Sequence, residues 1–275
     1  MGLFSVIVVY RNKGERMVYP SAGRPQPTIN KLSGQKFALK INFCSKMLLM
    51  PTTDDAKILA ARKSLEFIEE GMVVGLGSGS TATHFIQLLG ERLKQGLNIR
   101  GIASSRASEE LAASLSIPII DFNACSEIDV TIDGADEIAP GLALIKGGGG
   151  ALLREKIVAS ASKRFIVVAD SSKVVSQLGR FPLPVEVISM AAPLVAKKLL
   201  DLGVRPRVRR LETGSEFITD EANLILDCEC GAIDDPHRLA AAIRQIVGVV
   251  EHGLFLDMAD LALVAKGAEV VEIAR

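Results

Sequence analysis

The densest concentration of reactive side chains lies in "DGADEIAPGLALIKGGGGALLREK", residues 133 to 156. Asp133 and Asp136 bracket Gly134 and Ala135, which are small enough to let both carboxylates turn toward one space, and Glu137 follows. Turns use Asp and Gly for local reasons. Acids at the mouth of a buried sheet are costly, however, unless a polyol or a cation partners them. Lys146 then ends an apolar segment, Gly147, Gly148, Gly149 and Gly150 follow, and Glu155 stands a few residues into the helix they open. Each glycine held in regular structure costs about 0.5 to 1 kcal/mol relative to alanine, so a run of them implies a need for bare backbone. At a helix N-terminus that backbone offers N–H donors to a developing oxyanion. Lys146 can add its charge there, and a nearby carboxylate can move a proton. The competing reading makes Glu155 a surface acid paired with Arg154 or Lys156.

A second glycine-rich turn, "GLGSGSTATHF", spans residues 75 to 85. It fails as a dinucleotide fingerprint, because Gly79 falls one place short of the third glycine and the next strand ends in Ser104 and Ser105 where a ribose-binding acid belongs. It also lacks the lysine of a Walker loop. Ser78, Gly79, Ser80 and Thr81 instead set hydroxyls and unpaired amides at a helix N-terminus, which suits one phosphate monoester. An ordinary serine or threonine cap is the plainer alternative. In "SSRASEELA" capping accounts for the hydroxyls, and Arg106 is the one group there that could assist an anion.

These turns need strands to aim them. A helix capped at Thr53, with Ile58, Ala61, Leu65 and Ile68 as its apolar face, is predicted to stop at Gly71. Strand "MVVGLG", a helix from about Ser80 to Lys94, strand "NIRGIASS", helix "SEELAASLS" and short strands "PIIDF" and "IDVTID" follow. Alternating short strands and helices predict an α/β fold with a doubly wound, mostly parallel, Rossmann-like sheet, whose ligands bind beyond the carboxyl ends of the strands. After Gly179 come strand "PVEVIS", helix "APLVAKKLLDLG", strand "RVRRL", a hairpin of "EFITD" with "NLILDCE", helix "PHRLAAAIRQIVG" and strand "VVEHGLF". That order predicts a smaller α+β unit of ferredoxin-like type. The tail "LALVAKGAEVVEI" reads as a strand-turn-strand returning to the first sheet. Expected domains are therefore 50–179 with 256–275, and 180–255, preceded by an extension over 1–49.

Composition sets the bounds. The 275 residues are 48% hydrophobic with a formal charge of zero, enough for one or two cores and without the basic stripe that holds nucleic acid. Cys44, Cys125, Cys228 and Cys230 lack paired zinc spacing and read as buried free thiols. His84, His237 and His252 are scattered, so no metal is implied. No run reaches the roughly 18 to 20 apolar residues of a membrane span. The first 49 residues are basic, with Glu15 their single acid. This composition fits an organelle transit peptide, and equally a translation start placed upstream of Met50.

The motifs "GLGSGST", "DGADE", "LIKGGGGALLREK", "FIVVADSSK" and "GRFPLPVEV", in that order and spacing, resemble ribose-5-phosphate isomerase of the A type, from about Lys57 to the C-terminus. The resemblance implies interconversion of D-ribose 5-phosphate and D-ribulose 5-phosphate through an enediolate, in the non-oxidative pentose phosphate pathway. It implies Glu155 as general base, with Asp133, Asp136 and Lys146 on the sugar oxygens near the reacting carbons. Ser78, Gly79, Ser80 and Thr81 would line the substrate site, with Gly134, Ala135, Gly147, Gly148 and Gly149 beside them. Lys57 and Lys173 match lysines near the substrate and its phosphate. Ser78 departs from the expected threonine, and Arg106 occupies a variable position. The family needs no metal or organic cofactor and is usually a homodimer or a dimer of dimers, here expected in the cytoplasm. Two rivals share the general fold. An amino-sugar-phosphate deaminase-isomerase should lack this series of motifs, and a phosphosugar-sensing repressor would need an N-terminal DNA-binding helix pair.

Overall fold

The computed structural model describes residues 8–11, 15–18 and 53–275. Contacts divide the chain into Met1–Met47 and Leu48–Arg275. Of the first unit, β1 (Val8–Arg11) and β2 (Glu15–Val18) form an antiparallel pair. Cys44, Met50 and the remainder of the basic extension lie outside the described residues.

The second unit runs through α1 (Thr53–Ser64), β3 (Val73–Leu76), α2 (Gly79–Lys94), β4 (Arg100–Ala103), α3 (Arg106–Ser114) and β5 (Val130–Asp133). It continues with β6 (Glu137–Ala139), β7 (Ala143–Ile145), α4 (Leu152–Ser160) and β8 (Phe165–Asp170). Then follow β9 (Leu183–Val187), α5 (Ala192–Asp201), β10 (Arg205–Val208), β11 (Leu224–Glu229), α6 (Pro236–Arg244) and β12 (Val249–His252). The chain closes with β13 (Leu254–Phe255), β14 (Leu261–Lys266) and β15 (Glu269–Ala274).

The principal sheet has the order β15-β14-β8-β5-β3-β4, parallel throughout except for the edge strand β15. Its strands are near-continuous apolar runs because helices cover both faces. In β8 the two-residue period is plain. Ile166 and Val168 join α2 residues Phe85, Ile86 and Leu89 on one face, while Phe165, Val167 and Ala169 join Leu144 and Phe255 on the other. Each such fully buried aliphatic or aromatic side chain contributes about 1.5 to 3 kcal/mol. From β3 the chain moves outward to β4, then returns to the far side of β3 as β5. The carboxyl ends of β3 and β5 are therefore a switch point, where adjacent connections diverge and leave a crevice.

The unit from β9 to β12 has βαββαβ connectivity and a four-stranded antiparallel sheet in the order β10-β11-β9-β12, as a ferredoxin-like arrangement requires. Its core sets Leu183, Val185 and Val187 against Val195, Leu199 and Ile243.

Several sequence expectations differ in detail. The first helix takes Thr53 as its first helical residue and tightens into a 3-10 turn at Leu65–Phe67 before Gly71. "PIIDF" makes a single bridge, Ile119 to Gly101, instead of a strand. "EFITD" forms no regular strand: Glu216 bridges Arg210, and Ile218 bridges Leu224, the first residue of β11, so the expected hairpin is reduced to its turn end because β10 takes that edge of β11 from Leu226 onward. "VVEHGLF" divides into β12 and β13, which belong to different sheets. Gly253 is the crossing point: its N–H donates to Pro184 O (2.8 Å) and its carbonyl accepts from Lys146 N (2.9 Å). The resulting three-stranded sheet, β13-β7-β6, has no counterpart in the sequence reading.

Candidate active site

Asp133 is the last residue of β5 and is almost fully buried. Its Oδ1 accepts from the amides of Ser78 (2.9 Å) and Gly134 (2.7 Å), so the loop after β5 is tied to the loop after β3. That approach leaves no room for a side chain at Gly77, where a Cβ would lie 2.5 Å from the Asp133 Cα.

Lys146 follows β7, and 2% of its surface is exposed. Its Nζ donates to Gly134 O (2.6 Å) and lies 3.0 Å from Asp133 Oδ2 and 3.3 Å from Glu155 Oε2. The Phe255 ring centroid is 5.4 Å away. Burial pulls the pKa of this ammonium down, but Asp133, Glu155 and Asp136 more than reverse the effect and hold it above its ordinary value.

Glu155, in the first turn of α4, is also buried. Neither neighbour in sequence pairs with it: Arg154 reaches Glu221, and Lys156 reaches Glu251, which excludes the surface-acid reading. Its Oε2 sits within ion-pair range of Lys146, yet has no aligned hydrogen bond among the described residues. Burial lifts the carboxyl to about 7, opposed by Lys146 and reinforced by Asp133 and Asp136. A carboxylate poised near neutrality is suited to take a proton and give it back.

The glycine turn connects the two groups. Asp136 Oδ2 accepts from the Gly148 amide (2.7 Å), and the Gly150 amide donates to Gly147 O (3.0 Å). Gly150 has φ +88°, and a Cβ there would lie 2.5 Å from Phe217 Cε1.

Across the crevice, Ser78 holds the N-cap position of α2 without a side-chain cap bond, because its Oγ is engaged with Ser104 Oγ (2.7 Å). The first turn of α2 thus keeps unpaired amides for an anion, and the plain capping reading of this turn does not hold. Ser105 does cap α3, accepting from the Ser108 amide, and Ser108 Oγ donates to Gly77 O (2.6 Å). The hydroxyls of "SSRAS" brace the neighbouring turn.

Ser78, Gly79, Ser80, Thr81, Gly134, Ala135, Asp136, Lys146, Gly147, Gly149 and Glu155 line one cavity of about 130 Å³, together with Lys57 from α1 and Lys173 from the turn after β8. Asp133 and Gly148 stand directly behind this lining. Arg106 is elsewhere, its amide and guanidinium bound to Asp220. Sequence reading missed Ser104 and Ser108 as braces, for which the hydroxyl-rich turn was a signal, and Arg209, for which there was none. Among the described residues no His, Cys, Asp and Glu cluster could hold a metal ion. Cys125, Cys228 and Cys230 are free thiols, although only Cys228 is fully buried.

Comparison with known proteins fits this geometry. The profile of ribose 5-phosphate isomerase A (phosphoriboisomerase A) matches residues 100–269. Ribose-5-phosphate isomerase A of Parvibaculum lavamentivorans is 49% identical over 227 residues, 80% of this chain and 98% of that protein. Ribose 5 phosphate isomerase A from Neisseria gonorrhoeae has a TM-score of 0.77 at 43% identity, covering 82% of this chain and 98% of that one. A D-ribose-5-phosphate isomerase solved in complex with phospho-erythronic acid gives 0.79 at 39% identity, covering 82% and 100% respectively. With its family profile matched over more than half its length and a relative near half identical across almost the whole of that protein, the chain belongs to the ribose 5-phosphate isomerase A family.

Proposed function

We propose that Glu155 is the proton-transferring base of this enzyme and that Lys146, Asp133, Asp136 and the glycine turn serve it. The reaction interconverts D-ribose 5-phosphate and D-ribulose 5-phosphate, a step of the pentose phosphate pathway. Ionised Glu155 removes the proton from C2 of the open-chain aldose. The C–H electron pair becomes the C1–C2 double bond, and the carbonyl pair moves onto O1, giving an enediolate. Glu155 returns its proton to C1 while the O2 proton passes to O1, which leaves the ketose. Lys146 and the turn amides stabilise the oxyanion, and donors placed this way are worth about 3 to 4 kcal/mol each. Asp133 and Asp136 orient hydroxyls and assist ring opening. The amides and hydroxyls from Ser78 to Thr81 take the phosphate, with Lys57 and Lys173 adding charge.

The observation that carries this reading is the buried Glu155 Oε2, without an aligned hydrogen bond among the described residues and 3.3 Å from an ammonium at the floor of the cavity. A sensor of phosphosugars needs neither group. In a coupled assay of ribose 5-phosphate conversion, Glu155→Gln is expected to lower kcat by about 10² to 10⁴ while remaining folded. Full activity in that variant would refute the assignment.

On this reading residues 50–179 with 256–275 make the catalytic domain and 180–255 the smaller one. We further propose a homodimer or a dimer of dimers, for which the exposed Met190, Leu194 and Val247 offer apolar contact surface, to be measured by sedimentation. Among the described residues no helix is long and apolar enough to cross a membrane. A cytoplasmic location is proposed, supported by the free thiols.

A further inference from the structure

The four-glycine turn has no side chains with which to fix its own peptide planes. Its fixing comes from the other sheet. Arg209, just past β10, donates from Nη1 to Gly147 O and to Gly148 O, at 3.0 Å each. The rest of its guanidinium is held by Asp227 of β11, with Nε 2.9 Å from Oδ2 and Nη2 2.5 Å from Oδ1. Its backbone is anchored as well, by Arg209 N to Ile225 O (2.8 Å) and Phe217 N to Arg209 O (3.0 Å).

In a trans peptide the N–H points opposite to the C=O across the same plane. Turning Gly147 O toward Arg209 therefore turns the Gly148 N–H the other way, where it meets Asp136 at 2.7 Å. Turning Gly148 O toward Arg209 does the same to the Gly149 N–H. That amide has no hydrogen-bond partner among the described residues, and Gly149 lines the cavity.

We propose that Arg209, braced by Asp227, is a positioning residue of the isomerase, aiming the Gly149 amide into the cavity as a donor to the enediolate oxygen. The inference rests on the role assigned above to the glycine turn. Arg209 touches no substrate. It acts on the transition state through the peptide it holds, so its loss lowers kcat with little change in KM.

Arg209→Met keeps the apolar stem and removes every donor. Its kcat is expected to fall about tenfold to a hundredfold, a misaimed donor costing less than the hundredfold or more of a deleted one. KM should stay within about threefold of the native chain. With ribose 5-phosphate deuterated at C2, the isotope effect on kcat is expected to rise as proton abstraction becomes slower, a change that general loosening of the fold does not produce. Asp227→Asn leaves the guanidinium in place with a weaker brace and is expected to show a smaller loss of the same kind. A folded Arg209→Met with kcat within twofold of native, or with its loss confined to KM, overturns the proposal. Should Arg209→Met fail to fold, Asp227→Asn decides, and an unchanged kcat and isotope effect there overturn it. Glu155→Gln measured alongside separates the two readings, since full activity in that variant removes the site assignment, whatever Arg209 does.

Discussion

Glu155 and Lys146 form one buried pair that bears on stability and, on the proposed reading, on rate. With its carboxyl lifted to about 7 by burial, against the pull of the ammonium beside it, Glu155 is ionised only above that pH, where the proposed reading needs it as a base. The kcat/KM profile is expected to fall on the acid side with an apparent pKa near 7, and Glu155→Gln should abolish that limb. The sign for stability is opposite. A carboxyl whose folded pKa lies above its unfolded value favours the fold when protonated, so its contribution is fully present below about 4.5 and is lost as pH rises through about 7. Denaturant titrations at pH 5 and pH 8 are expected to show native stability declining relative to Glu155→Gln over that interval. These groups were legible in the sequence because one contiguous strand-loop-helix run carries them. The elevated carboxyl was not, since it depends on burial by residues distant in the chain. Arg209 was hidden for the same reason, standing 62 residues from the carbonyl it holds.

At the scale of elements, the glycine turn is constrained from outside as much as from within. Phe217 lies against Gly150, and its ring is 5.8 Å from the Arg209 guanidinium, so one loop of the second sheet supports both. Gly150→Ala places a methyl into that ring at a positive φ, a backbone cost of roughly 1 to 2 kcal/mol before any clash. The variant is expected to lose at least tenfold in kcat and several degrees in Tm, with Phe217→Ala added to it restoring part of the loss, as steady-state kinetics and thermal melts would show. Helix and strand order along the principal sheet was readable because caps, glycine stops and continuous apolar runs are local signals. The pairing of β11 was not. Proximity in sequence suggested a hairpin with "EFITD", of which only the bridge from Ile218 to Leu224 forms, whereas β9 and β10 supply the regular pairing.

At the scale of the molecule, the two sheets meet around a second buried ion cluster. Lys156 Nζ donates to Glu251 Oε1 (2.9 Å) and Leu254 O (2.9 Å), and lies 4.7 Å from the centroid of the same Phe255 ring that faces Lys146. Burial lowers the Lys156 pKa to about 8, with Glu251 opposing the fall. Glu251→Gln leaves that ammonium without its anion and is expected to destabilise the protein by about 3 kcal/mol, measured by chemical denaturation at neutral pH. The broad division into a parallel sheet and a βαββαβ unit was foreseeable from periodicity. The small sheet joining them was not, because β13 contributes only Leu254 and Phe255, too few residues to show a pattern.

The bond from Gly253 to Pro184 brings the entrance and exit of the βαββαβ unit within 2.8 Å of each other. A module whose ends nearly touch can be acquired by an ancestral parallel-sheet protein in a single genetic insertion, without stretching the host backbone. Such a module carries with it the Arg209 guanidinium and, at its exit, the Gly253 carbonyl, which hold the glycine turn and the backbone of Lys146.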